Sequence, residues 1–246
     1  MAGLEPDVRV FQDPEALGHA AAALFVETAH QAITQRGRFL VSLSGGKTPE
    51  RLYRLLPQSP YRELVDWALM HVFWGDERCV PAEDLNSNYR TAHELLLGRV
   101  PVPVENIHRV RTELEPELAA QAYALQLRKS AQPPLDWPRF DLVLLGLGED
   151  GHTASLFPGT RVVEGSASMA AKAPGQDQPG WRVTMTPAVF NTGRRVVFLV
   201  QGGSKSKVVA SVLYGERQPE QLPAQLIRPV DGELIWMLDA SAASSA

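Results

Sequence analysis

The chain has 246 residues, of which 44% are hydrophobic and 21% charged, enough to bury a full core as one large α/β domain or two small ones. A net charge of -4 argues against a nucleic-acid-binding surface, and no uncharged apolar run reaches the roughly 18 residues that a membrane span requires. Cys79 is the only cysteine, which rules out an internal disulfide and points to a reducing, cytoplasmic location; its thiol is either a nucleophile or a small buried side chain. The first residues carry no cationic segment followed by an apolar one, so a soluble, unexported protein is expected.

Residues 8–11 read as a first strand, and Asp13-Pro14-Glu15 as a helix start with cap, first-turn proline and a carboxylate at the positive dipole end. Leu17, Ala20, Ala21, Leu24, Thr28, Ala32 and Ile33 continue at helical spacing until Gly37 stops the helix. Residues 38–43 form a second strand, followed by a helix bearing Leu52, Tyr53, Leu55 and Leu56, with Thr48 placed to cap it and Pro49 in its first turn. Residues 67–74 make a third strand that runs into Gly75-Asp76-Glu77-Arg78, and Asn86-Ser87-Asn88 can cap the next helix. A short strand at 106–110, a surface helix at 115–129 and an extended proline-rich connector at 133–138 come next.

Residues 141–145 lack polar alternation and suit a strand buried on both faces, so that Gly146, Gly148, Asp150, Gly151 and His152 fall beyond its carboxyl end. Open parallel sheets bind ligands at that end. Residues 165–180, rich in Gly, Ser, Ala and Pro, read as a mobile surface loop, either ordinary or a lid. A strand at 181–184, a helical turn at 187–190 and a buried strand at 195–200 precede Gly202-Gly203-Ser204-Lys205 and a helix ending at Gly215. Residues 234–238 close the sheet, and the Ser/Ala tail is expected to fray. This alternation predicts a single doubly wound, Rossmann-like α/β domain over residues 1–246, with a mainly parallel sheet flanked by helices.

Three glycine-rich turns recur, at Ser44-Gly45-Gly46, Gly146-Leu147-Gly148 and Gly202-Gly203-Ser204. Glycine lets backbone approach a ligand, and free N–H groups at a helix start suit an anion such as phosphate, although tight α/β turns also need glycine structurally. Lys205 and Arg78 strengthen the ligand reading, because converging cations stabilise a dianion better than amides alone. Gly146-x-Gly148-x-x-Gly151 fits a dinucleotide fingerprint as a string, but Pro158-Gly159 follow too soon for the helix that would hold a pyrophosphate. Gly46-Lys47-Thr48 lacks the first glycine of a phosphate loop, which falls on Val41, and Ser44 has Ser42 where a nucleophile elbow needs glycine. No zinc cluster is visible, and Asp76-Glu77 is a single acidic pair for magnesium.

His19, His30, His71, His93 and His108 fall inside expected helices or strands, where packed or surface roles are the plain reading. His152 differs: it lies at a strand's carboxyl end two residues after Asp150, so a carboxylate can orient its ring. An imidazole, with an ordinary pKa of about 6.5, can take a proton from water at neutral pH; capping a turn is the alternative role.

Four segments resemble the 6-phosphogluconolactonases, within the wider group of glucosamine-6-phosphate isomerases and deaminases. They are SLSGGKTP at 42–49, WGDER at 74–78 with SNY at 87–89, LGLGEDGHTASLFP at 145–158, and RVTMT at 182–186 with GGSK at 202–205. The resemblance implies hydrolysis of 6-phospho-D-glucono-1,5-lactone to 6-phosphogluconate in the oxidative pentose phosphate pathway, with no required metal or organic cofactor. It implies that His152 activates water, that Asp150 orients it, and that Arg78 lies over the substrate to neutralise phosphate or a developing oxyanion. Ser44, Gly45, Gly46, Arg182 and Lys205 match positions around the phosphate, Asp76 the acid before the arginine, and Asn88 a further substrate-site position. The sister deaminases add a glutamate downstream of the histidine, in a slot that falls on Phe157 here, which favours the lactonase. The remaining alternative is a non-catalytic sugar-phosphate sensor, against which the lack of an appended helix-turn-helix or basic region argues. The partner expected is a small sugar-phosphate lactone, without nucleic acid or membrane, on a monomer or weak homodimer.

Overall fold

In the computed structural model, which describes residues 7–162, 165–173 and 180–245, seven strands form a main sheet that is parallel at every pairing. They are β1 (Asp7–Phe11), β2 (Phe39–Leu43), β3 (Met70–Trp74), β5 (Ile107–His108), β6 (Leu142–Leu145), β9 (Arg195–Val200) and β10 (Glu233–Asp239), in the spatial order β1-β10-β9-β6-β2-β3-β5. A three-stranded antiparallel sheet holds β4 (Asp76–Arg78), β8 (Trp181–Met185) and β7 (Ser168–Lys172), with β8 in the middle. Helices α1 (Pro14–Arg36), α2 (Lys47–Leu55) and α3 (Asn88–Leu95) cover one face of the main sheet. Helices α4 (Pro116–Ser130), α5 (Pro187–Phe190) and α6 (Ser206–Tyr214), together with the small sheet, cover the other.

The apolar runs are continuous because both faces are buried. Successive strand side chains point to opposite sides, so Val41, Leu144, Leu199 and Met237 enter the first layer while Leu40, Val143, Phe198 and Trp236 enter the second. Phe198 and Trp236 stack across β9 and β10 with centroids 4.0 Å apart. Burying side chains of this size stabilises the sheet by roughly 1.5–3 kcal/mol each.

The ends of α1 follow the local chemistry of the sequence. Asp13 Oδ1 accepts the Ala16 N–H at 2.8 Å, and Gly37 closes the helix at φ 69°, a left-handed conformation that disfavours a side chain. Elsewhere tertiary structure overrides the local reading. Helix α2 starts at Lys47 after Gly46, so Thr48 lies inside the first turn instead of capping it, and no side chain caps the helix. Residues 67–69 form a 3-10 turn capped by Asp66, which delays β3 to Met70, and β5 spans only two residues.

Residues 168–172, expected as loop, are strand β7, fully paired with β8. Their small side chains suit a close approach to α4, where Ser168 Oγ donates to the Ala120 carbonyl at 2.7 Å. Residues 174–179 of that expected loop lie outside the described residues. The Ser/Ala tail is docked: Ala242 is fully buried, and its N–H donates to Asp239 Oδ1 at 2.8 Å. Asp76-Glu77-Arg78, into which β3 runs through Gly75, pairs with β8 as β4.

Candidate active site

The carboxyl ends of β2, β6 and β9, three neighbours in the sheet, open into a cleft of about 450 Å³. Ser44, Gly45 and Gly46 enter from β2, Gly146 to Glu149 and His152 from β6, and Gln201, Ser204 and Lys205 from β9. Asp76 and Arg78 of β4 and Asn88 of α3 complete the wall. Two buried tyrosine hydroxyls clamp this rim. Tyr53 Oη donates to the Ser44 carbonyl at 2.7 Å and accepts its N–H at 3.1 Å, and Tyr123 Oη exchanges two 2.9 Å bonds with Trp74 at the end of β3. Burial pushes both phenols above their ordinary range, so they stay protonated.

The loop after β6 holds the imidazole. His152 O accepts the Gly148 N–H at 2.8 Å, and Thr153 Oγ1 donates to the Gly146 carbonyl at 2.8 Å, folding the loop back on its own strand. A Cβ on Gly148 would collide with the His152 ring, so glycine is required there by close approach. Asp150 Oδ1 lies 2.5 Å from His152 Nδ1 and also accepts the His152 N–H at 3.1 Å. Burial opposes ionisation of Asp150, but these bonds from His152 outweigh it and hold the carboxyl below its ordinary value. An ionised partner at Nδ1 puts the ring proton there and leaves Nε2 as the basic nitrogen. Phe157, 7% exposed, packs its ring 5.0 Å from the imidazole.

Alternation along β4 separates its two acids. Asp76 and Arg78 face the cleft, whereas Glu77 points the other way and binds the start of α3. Glu77 accepts the N–H groups of Arg78, Asn88 and Tyr89 at 2.7, 2.8 and 2.7 Å, and the Ser87 hydroxyl at 3.2 Å. Burial raises its pKa against these donors. Its oxygens are thus engaged by protein donors, and Asp76-Glu77 does not present two carboxylates to one metal; among the described residues no group of three or more potential ligands could hold one. Asp76 Oδ2 accepts the Ser155 hydroxyl at 2.7 Å, and the Asp76 carbonyl accepts Asn88 Nδ2 at 2.9 Å. Asn88 in turn lies against Gly45, where any Cβ would strike its amide.

Arg78 donates from Nη1 to the Asn86 carbonyl at 2.7 Å. Arg182, directly across the β4–β8 pair, is 2% exposed and does not line the cleft. Burial and the neighbouring Arg78 disfavour its charged form, opposed by Asp76, Cys79 and Glu77. As the direct partner of Arg78 it shares that residue's face of the small sheet, and it stands beside Asp76 and Arg78 without itself lining the cleft. The Cys79 thiol, half-buried and outside the cleft wall, is pushed up to about 11 by burial, which argues against a nucleophile. No helix follows Gly151 before Gly159, as the dinucleotide pattern would need.

On the β9 side, Lys205 Nζ stands 3.9 Å from Glu149 across the cleft mouth, and the Gly202 N–H is held by Asp239 Oδ1 at 3.0 Å. Gln201 is a lining residue that motif reading missed; its Oε1, like Asn88 Oδ1, is buried without a partner among the described residues. Its position after β9 matches those of Ser44 after β2 and Gly146 after β6, and that equivalence is the signal that would have found it.

Fold and cleft together define the class: an open parallel sheet presenting a carboxylate-oriented histidine, uncapped helix amides and a few cations to a small polar ligand. The family model described as Glucosamine-6-phosphate isomerases/6-phosphogluconolactonase matches residues 12–236. A 6-phosphogluconolactonase of Synechocystis is 40% identical over 241 residues, covering 97% of this chain and 98% of its own. That of Nostoc is 36% identical with the same coverage. The solved structure of 6-phosphogluconolactonase from Trypanosoma brucei shares the fold with a TM-score of 0.87 at 30% identity, covering 98% of each chain. The chain belongs to the glucosamine-6-phosphate isomerase/6-phosphogluconolactonase family.

Proposed function

We propose that the chain hydrolyses 6-phospho-D-glucono-1,5-lactone to 6-phospho-D-gluconate in the oxidative pentose phosphate pathway, with water activated by His152. The observation that carries this reading is the 2.5 Å contact between Asp150 Oδ1 and His152 Nδ1 at the cleft wall. His152 Nε2 takes a proton from water, and the resulting hydroxide adds to the lactone carbonyl carbon. The imidazolium then returns the proton to the ring oxygen as its bond to that carbon breaks. A base positioned this way contributes roughly 100- to 10,000-fold in rate.

Ser44, Gly45 and Gly46 at the uncapped start of α2, with Lys205, receive the phosphate. Arg78 adds charge at the phosphate or at the oxyanion; an Arg78→Lys change confined to KM assigns the first, and one confined to kcat the second. Asp76 and Asn88 meet sugar hydroxyls, the orphan Asn88 Oδ1 being a ready acceptor. These steps need no metal or organic cofactor. We place the reaction in the cytoplasm, on one domain acting as a monomer or weak homodimer without nucleic-acid or membrane partners. Among the described residues no helix is long and apolar enough to cross a membrane.

A deaminase of the same family would need an acid where Phe157 packs on His152. The test is an assay of 6-phosphogluconolactone at neutral pH, corrected for spontaneous hydrolysis and run beside glucosamine 6-phosphate. Catalysed lactone loss without deamination is expected. Deamination without lactone hydrolysis would overturn the proposal.

A further inference from the structure

At the amino ends of β2, β6 and β9, opposite the catalytic cleft, a second cleft of about 310 Å³ is walled by Arg36, Arg38, Arg139 and Arg194 around Asp141. Four guanidinium groups meet two carboxylates there, and both acids are already engaged. Asp141, whose side chain is 3% exposed, accepts the Leu40 N–H on one oxygen and Arg36 Nε on the other, each at 2.8 Å. Asp231 accepts Arg139 Nη2 at 2.8 Å. Two positive charges are left uncompensated.

The donors are also in excess. Arg139 Nε and Arg194 Nε are buried with no hydrogen-bond acceptor among the described residues, Arg194 Nε standing 3.5 Å from Asp141 without the geometry to donate. Arg38 borders the same space with no hydrogen bond or ion pair among the described residues. Buried polar groups are ordinarily satisfied, so this concentration of unused guanidinium N–H groups around one cavity marks a missing acceptor. Guanidinium forks match tetrahedral oxyanions bidentately, and a dianion balances the two excess charges. The volume stands at the small end of ligand sites, which fits a compact phosphorylated metabolite and not a nucleic acid.

We propose that this arginine cleft is a second binding site, separate from the catalytic one, for the dianion of phosphate or a small phosphomonoester. The experiment is a titration of the full chain with inorganic phosphate and, in parallel, glucose 6-phosphate at constant ionic strength, followed by nuclear magnetic resonance of the arginine Nε–H groups. Saturable shifts of Arg139 and Arg194 Nε–H are expected at millimolar ligand, while the Gly45 and Gly46 amides report the catalytic cleft separately. Equal affinities would assign recognition to the phosphate group alone, and tighter glucose 6-phosphate to contacts with the sugar as well; either supports the site. Arg38→Gln should weaken these shifts about tenfold and leave kcat/KM for the lactone unchanged. Nε–H resonances that do not move, or that move equally in Arg38→Gln, would overturn the proposal.

Discussion

Strands β2, β6 and β9 have opposite chemistry at their two ends. At the carboxyl ends of β2 and β9, glycine-rich turns lead into helices whose backbone N–H groups supply positive potential, helped by Lys205 and Arg78, while the turn after β6 carries His152. At the amino end helices stop, with α1 closing at Gly37 just before β2, so the backbone there presents carbonyls of negative sign. Holding an anion at that end requires side chains, and the chain supplies four arginines around one buried acid. A parallel sheet thus receives an anion cheaply at one end and only with concentrated charge at the other.

The largest expected effect tests whether chemistry belongs to the carboxyl end alone. His152→Ala should lower kcat by roughly 100- to 10,000-fold with an unchanged thermal midpoint, and near-normal turnover would remove the base from this end. The converse is a change at the amino end that costs stability and spares turnover. Asp141→Ala leaves Arg36 and Arg194 without their carboxylate, and urea denaturation should show a loss of about 3 kcal/mol while kcat of the folded protein stays constant. A fall in kcat would show that the two ends are coupled.

Gly148→Ala sharpens the geometry, because its Cβ would displace the His152 ring and should reduce kcat by roughly 10- to 100-fold with little change in KM. Lys205→Ala should raise KM for the phosphorylated lactone about tenfold and leave unphosphorylated gluconolactone unaffected. Equal effects on both substrates would take Lys205 out of the phosphate site.

The smallest effect is a pH dependence on the amino-end side, where His71 Nδ1 and His108 Nε2 lie 3.3 Å apart. Burial, with Arg38, lowers the His71 pKa; burial, with His71, pushes His108 down from 6.5 to about 4. The unfolded chain therefore binds more protons at these sites below pH 6.5. Their neutral forms contribute stability that is complete above pH 6.5 and is lost as pH falls toward about 4. Both rings are part-exposed, so the loss is on the order of 1 kcal/mol after solvent screening. Thermal midpoints across that window should fall less steeply in His108→Gln than in the unaltered chain.

Much of the main sheet was legible because its signals are local. The cap at Asp13, the stop at Gly37 and the apolar run of β6 each act within a few residues, and the i, i+2 spacing of Asp150 and His152 becomes a 2.5 Å contact. In the small sheet only β8 was legible, and β4 and β7 were not. Strand β7 is SMAAK, with little β-propensity, and it exists because β8 and α4 lie on either side. Glu77 reads as half of an acidic pair, while most of the donors that define its role arrive ten to twelve residues later. The rear arginines are scattered from Arg36 to Arg194, and only the parallel register gathers them.

The tyrosine clamps on Ser44 and Trp74 have a consequence for hydrogen exchange. Strand ends ordinarily fray, yet the amides of these two residues each donate to a buried hydroxyl that also ties down the same residue's carbonyl. They should exchange with solvent deuterium as slowly as amides at the sheet centre, and only through openings close to global unfolding. The rim of the cleft then behaves as part of the folding core, and any local adjustment there falls to side chains such as Lys205 and Arg78 standing on it.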